Sequence, residues 1–170
     1  EVHAIGNKID NLVGTGKFSN IMIQNTKDIL VLSDVDIDLQ NDGITKNYTI
    51  KSDQFDAKLK GIFDPLSIVP SMKVFLADYS KLIKPTAKDY KVAKAQQVDA
   101  DIKLKSDFGL IKVFVPKLQY ISDLNIKANI NTANKLLFID GSMDSANYDK
   151  MAFNDIIIKS DIEDKNLILK

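Results

Sequence analysis

The chain has 170 residues, 45% of them hydrophobic, and its 23 Lys+Arg balance 23 Asp+Glu. A net charge of zero provides no field to hold a polyanion, which argues against nucleic acid, and the apolar content excludes a disordered chain. Cys is absent, so a disulfide scaffold, a thiol nucleophile and a Cys zinc site are all excluded.

The chain opens Glu1-Val2-His3-Ala4-Ile5 inside a strand-like run and reads as a fragment of a longer protein. His3 is the single histidine and reads as a surface residue of a frayed segment. Residues 12–23 suggest a hairpin around Gly14 and Gly16, and 29–32 open the strand that carries Val35, Ile37 and Leu39. That strand alternates polar and apolar residues, so it builds one greasy and one wet face. Asn41-Asp42-Gly43 is a turn signal, and strands follow at 48–50 and 55–60.

Ile68, Val69, Met72, Phe75, Leu76, Tyr79, Leu82 and Ile83 recur at steps of three and four. This spacing predicts an amphipathic helix over 66–83, started by Pro65 and ended before Pro85. It carries few charges, so it reads as a helix capping the core rather than one lying on a membrane. Residues 84–97 are polar and read as a surface crossover, partly disordered. Residues 108–115 offer a second, shorter helix.

The alternation returns in Val98-Asp99-Ala100-Asp101-Ile102-Lys103-Leu104-Lys105 and in Leu124 to Asn131, where Leu124, Ile126, Ala128 and Ile130 share a face. Strands are expected over 135–142, 153–159 and 166–169, with Asn134, Gly141, Asn147 and Asp164 near their turns. A faint repeat at an offset of about 45 residues links 58–63 to 103–108. One strand about every 8–12 residues predicts a mainly β fold. One-sided alternation favours an antiparallel sheet. The expected architecture is a curved sheet, taco-like or an open barrel, with the amphipathic helix and the short second one. The chain forms a single β-rich section over 1–170.

Catalytic and metal chemistry finds little support. Asp34, Asp36 and Asp38 share a wet strand face, as do Asp99 and Asp101, whereas an acid–base pair needs two carboxyls in unlike surroundings. The first three lack the Gly and Glu of a calcium loop. Gly14-Thr15-Gly16 lacks both a third Gly and the following helix that a dinucleotide site needs. No Gly-x-Ser-x-Gly elbow occurs, and Asn47-Tyr48-Thr49 matches a glycosylation triplet that chance often supplies. No catalytic residue, metal ligand or cofactor is therefore expected, and no window of about 18 apolar residues spans a bilayer.

One feature remains. The apolar strand faces are aliphatic and slim: Val35, Ile37, Leu39, Val98, Ala100, Ile102, Leu104, Leu124, Ile126, Ala128, Ile130, Ile156 and Ile158. Two short helices are little cover for so long a sheet, and an uncovered greasy face is a binding surface or an aggregation hazard. A curved trough of this kind suits acyl chains. At ~0.8 kcal/mol per buried CH₂, a sixteen-carbon chain gains on the order of 12 kcal/mol before entropy losses. The competing reading is a sheet that closes on itself and holds nothing.

Three stretches carry a resemblance: Ile9-Asp10-Asn11-Leu12-Val13-Gly14-Thr15-Gly16-Lys17-Phe18, the run from Ser52 to Gly61, and the run from Asp140 to Leu169. Their texture resembles AsmA-like and TamB-type proteins, in particular TamB-like translocation and assembly proteins of Bacteroidetes. The Ile-, Lys-, Asn- and Asp-rich composition fits that source. The resemblance implies an inner-membrane-anchored protein that crosses the periplasm as a β-taco with a greasy interior. It implies movement of phospholipid to the outer membrane, and outer-membrane protein assembly with a BamA-like barrel partner of the TamA type. It brings no catalytic residues, and the helix at 66–83 departs from a pure β-taco. The alternatives are a module that accepts a strand from barrel clients and a ligand-free spacer.

Overall fold

The structure, a computed structural model, describes residues 1–24, 29–79, 83–105, 118–163 and 166–169. Among them, eleven strands form one open antiparallel sheet. They are β1 (Val2–Ile5), β2 (Val13–Gln24), β3 (Ile29–Asn41), β4 (Lys46–Ser52), β5 (Phe55–Ile62), β6 (Gln97–Leu104), β7 (Leu118–Ser122), β8 (Asn125–Asn131), β9 (Leu136–Tyr148), β10 (Met151–Glu163) and β11 (Asn166–Leu169). Two helices, α1 (Ile68–Ala77) and α2 (Ala87–Val92), fill the link between β5 and β6. The expected mainly β, antiparallel and unclosed sheet is what forms.

The sheet order follows the chain from β1 to β6 and then runs β8, β9, β10 and β11. The strand β7 lies in line with β8: both pair with β9, β8 against its first half and β7 against its second. The break between them falls at Asp123, whose φ is +48°. Short turns join β3 to β4, β4 to β5, β8 to β9 and β9 to β10. In the β3–β4 turn the Asp42 carboxylate accepts from the N–H groups of Ile44 and Thr45, at 2.9 and 2.7 Å. Those two N–H groups, Thr45 foremost, hold its carboxyl below the ordinary aspartate value.

Several local expectations are corrected. Residues 12–23 hold no hairpin: Gly14 and Gly16 sit inside β2, opposite Ala4 and Val2 of β1. A Cβ on Gly14 would lie 2.0 Å from the His3 carbonyl oxygen, so this glycine answers to a neighbouring backbone and not to a turn. Gly141 is buried within β9, between Ile126 and Ile158. The helix placed over 66–83 forms only over Ile68–Ala77. The stretch 84–97, read as a partly disordered crossover, contains α2. Its capping box explains why: Thr86 Oγ1 accepts from the Asp89 N–H at 3.2 Å, and the Asp89 carboxylate accepts from the Thr86 N–H at 2.7 Å. The second helix placed over 108–115 lies outside the described residues, as does the turn residue Asp164.

Helix α1 docks through a polar core. Gln96 is 2% exposed and its Nε2 donates to Ser67 Oγ and Ser71 Oγ at 2.8 and 3.1 Å. Its Oε1 accepts from the Asp64 N–H at 3.0 Å. Gln96 and Thr132 also bond each other through the Gln96 N–H and the Thr132 N–H. A buried amide must be satisfied in this way or its desolvation is uncompensated, so this network fixes where the helix meets the sheet.

Candidate functional site: an apolar trough

The cross-strand register places the greasy residues in rows. One row runs Val2, Gly16, Ile37, Ile50, Ala57, Ile102, Ile126, Gly141 and Ile158. The next runs Ala4, Gly14, Leu39, Tyr48, Leu59, Ala100, Ala128, Ile139, Ser160 and Leu169. Both cross the sheet from one edge to the other. Ala57, Ala100, Ala128 and Gly141 keep the floor of these rows low, because their side chains end at Cβ or sooner.

The sheet curls about this face. Leu32 and Val35 of β3 form one buried cluster with Leu104 of β6 and Ile121 of β7, and Met143 of β9 packs against it. Strands β3 and β9 are far apart in sheet order, so a shared cluster requires the face to fold towards itself. A second cluster joins Tyr48, Phe63 and Val98, with Ile68 of α1 packed on it. Tyr48 and Phe63 meet edge to face at 5.3 Å. Helix α1 therefore closes one end of the trough. Ala57, Ala100, Ile102 and Ile126 belong to neither cluster and remain half-buried.

All thirteen residues singled out from the sequence come to this one side. Val35, Val98, Leu104 and Ala128 are buried; Ile37, Leu39, Ala100, Ile102, Leu124, Ile126, Ile130, Ile156 and Ile158 are half-buried. Sequence reasoning missed Gly16, Tyr48, Ile50, Ala57, Leu59, Ile139 and Gly141. The alternation that marks Val35 to Leu39 also runs through Tyr48-Thr49-Ile50 and Phe55 to Leu59, so four of the seven carried a legible signal.

Two hydroxyls interrupt the greasy surface. Tyr48 OH and Ser160 Oγ are buried and, among the described residues, have no hydrogen-bond partner. Burial foremost, with the Asp10 charge second, pushes the Tyr48 hydroxyl pKa above its ordinary value, so it stays a neutral donor.

The opposite face is a charge ladder. Lys17, Asp36, Lys51, Asp56 and Lys103 stand opposite one another in turn. So do Lys58, Asp101, Lys127, Asp140 and Lys159. Opposite charges facing across strands each add a few tenths of a kcal/mol, ~0.2–1, and keep this side wet. Of the aspartates that invited an acid–base reading, Asp36, Asp99 and Asp101 thus face lysines, while Asp34 faces Ser19 and Asp38 faces Thr15 and Thr49. Hollows of about 740 and 430 Å³ open on this polar side, the larger lined by Lys17, Asp36, Asp38 and Lys58. Among the described residues no cluster of His, Cys, Asp or Glu could hold a metal ion. His3 is exposed and bonds Glu1 Oε1 at 2.8 Å. No described helix is long and apolar enough to cross a membrane.

No family model, no curated protein and no solved structure matches this chain.

Proposed function

We propose that this chain is a section of a passive conduit that shields lipid acyl chains. The observation that carries the reading is the pair of largely apolar rows, broken only by the Tyr48 and Ser160 hydroxyls, whose floor is Ala57, Ala100, Ala128 and Gly141. Their short side chains leave depth where an alkyl chain would lie, and the half-buried Ile102 and Ile126 would be its first contacts. The tails would be solvated by the inner rows while the Lys/Asp ladder keeps the outer side in water. The two partnerless hydroxyls, Tyr48 and Ser160, could donate to ester carbonyls. In keeping with the TamB-like texture, the parent would be an inner-membrane-anchored protein of a Gram-negative envelope. This section would stand in the periplasm, serving phospholipid transport and, with a BamA-like barrel, outer-membrane assembly. The reading is non-enzymatic and uses no cofactor.

A second reading draws on the free edge of β10. The strand β11 pairs only with Ser160 to Glu163, and among the described residues no strand pairs with the outer edge of Met151 to Lys159. Such an edge can accept a strand from a barrel client.

The test separates the two. Photocrosslinkers at Ile102 and Ile126 are expected to capture phospholipid in cells. Ile102→Asp or Ile126→Asp should lower that capture at least about tenfold, the equivalent of ~1.4 kcal/mol, while Asp101→Asn leaves it unchanged. Circular dichroism confirms that the variants fold. Capture of protein alone supports the strand-addition reading. A folded domain that captures nothing is a spacer, and the conduit is then wrong.

A further inference from the structure

Residues 64–94 carry six Lys and three Asp, a net charge of +3 within a chain whose total is zero. This stretch holds α1 and α2, which pack on each other and leave a groove of about 670 Å³ between them. Leu66, Val69 and Val92 supply apolar lining, and Lys73, Lys88 and Lys91 stand around them. The inner side of α1 is taken by Ser71 and Phe75, both buried. Its outer side should then be polar. Instead Val69 is 62% exposed, and Leu66, just before the helix, is 65% exposed.

The negative charges of this lobe are already engaged. Asp64 pairs with Lys94, and Asp89 caps α2 while facing Lys73 at 3.8 Å. Lys88 and Lys91 are exposed and have no carboxylate within ion-pair distance among the described residues. An aliphatic centre flanked by the uncommitted Lys88 and Lys91, with its own carboxylates already paired, is complementary to a surface that is greasy within and anionic at its rim. A nucleic acid has no use for the aliphatic centre. An acidic peptide would find no free strand edge in this lobe to bind.

We propose that the α1–α2 lobe docks on an anionic lipid bilayer, with Leu66 and Val69 entering the interface and Lys88 and Lys91 meeting headgroup phosphates. The lobe sits at the end of the trough that α1 closes, so docking here brings that end to a membrane. The inference stands on the lobe's own charge and exposure and does not need the trough to carry lipid.

Sedimentation with vesicles tests it. Phosphatidylcholine vesicles with about a third phosphatidylglycerol should pull the protein down, and pure phosphatidylcholine should do so far less. The K88E/K91E variant should weaken binding to anionic vesicles about tenfold or more, and raised salt should act in the same direction. The L66S/V69S variant should weaken it as well. A K58E/K127E variant on the charge ladder should bind like the parent protein. Ile126→Asp should also bind normally, which separates lobe docking from acyl capture in the trough. Equal binding to neutral vesicles, indifference to K88E/K91E, or displacement from the lobe by an acidic peptide but not by vesicles would each overturn the proposal.

Discussion

Gly61 has φ +146°, and a Cβ there would lie 2.1 Å from the Gln97 carbonyl oxygen. It is the point where β5 presses against β6, opposite Val98. Gly43, in the β3–β4 turn, also has a positive φ, +94°, but nothing lies within 4 Å of its would-be Cβ. The pair separates backbone strain from collision. Gly43→Ala should destabilise by about 1 kcal/mol, the penalty for a left-handed backbone alone. Gly61→Ala adds the collision and should exceed about 3 kcal/mol. Urea midpoints of the two variants give the comparison, and equal losses would refute the close-approach account. These glycines also mark what a sequence hides at this scale. Gly14 and Gly141 read as turns because glycine signals a turn and a tight backbone approach alike. Only the partner strand, remote in sequence, decides between them.

At the scale of elements, α2 rests on its capping box and not on length, since six residues make an unstable helix alone. Thr86→Ala should therefore remove about 1 kcal/mol. The same lobe has an acid dependence with a definite sign. The Asp89 carboxyl lies below the ordinary aspartate range, chiefly because the Thr86 N–H and hydroxyl bond it, helped by Lys73. Burial lifts the Asp64 carboxyl, but the Lys94 and Leu66 hydrogen bonds and the Lys94 and Lys46 charges outweigh it, so it too is lowered. A lowered folded pKa means stabilisation that is full above the unfolded value of about 3.9 and fades as pH falls through the folded value. Hydrogen-exchange protection at the Ala93 amide, which donates to the Asp89 carbonyl, should accordingly hold from pH 7 to about 5 and collapse below about 4. Thr86→Ala should shift that loss to higher pH; protection that persists in acid would contradict the box. The Thr-x-x-Asp signature was legible in the sequence. It was masked by the polar, Lys-rich run around it, which lacks the apolar period that announces a longer helix. In α1 the period was plain over 66–83, yet the helix stops at Ala77, where the Asp78 N–H turns back to the Phe75 carbonyl.

At the scale of the whole molecule, the period of two told which residues share a face but not whether that face would be sealed, because curl depends on strands far apart in sheet order. The outcome is an open object. Among the described residues its terminal strands β1 and β11 do not pair with each other, so the sheet stays unclosed. Openness leaves two partly uncovered edges, β2 beyond Lys17 and β10 from Met151 to Lys159, with no described strand pairing along them. Each carries a residue with left-handed backbone in mid-strand, Asn20 at φ +54° and Asp155 at φ +52°. Across each, the inward face changes parity: buried Val35 gives way to Leu32 beside Asn20, and half-buried Met143 of β9 gives way to buried Ala146 opposite the Asp155 kink. Such kinks twist an edge away from flat pairing and are a known defence against edge-to-edge association. The sequence around Asp155 shows why a defence is needed, since Ile156-Ile157-Ile158 follows it and Ile157 is 64% exposed. A valine resists positive φ, so Asp155→Val should straighten the strand, remove the edge charge and raise concentration-dependent association in sedimentation velocity. Asp155→Gly keeps the kink and should raise it less. Ile157→Lys should lower it and leave the urea midpoint within about 0.5 kcal/mol of the parent. If Asp155→Val stays as monodisperse as the parent protein, the kink does not guard the edge, and the twist of the long hairpins alone must be what keeps the sheet from extending.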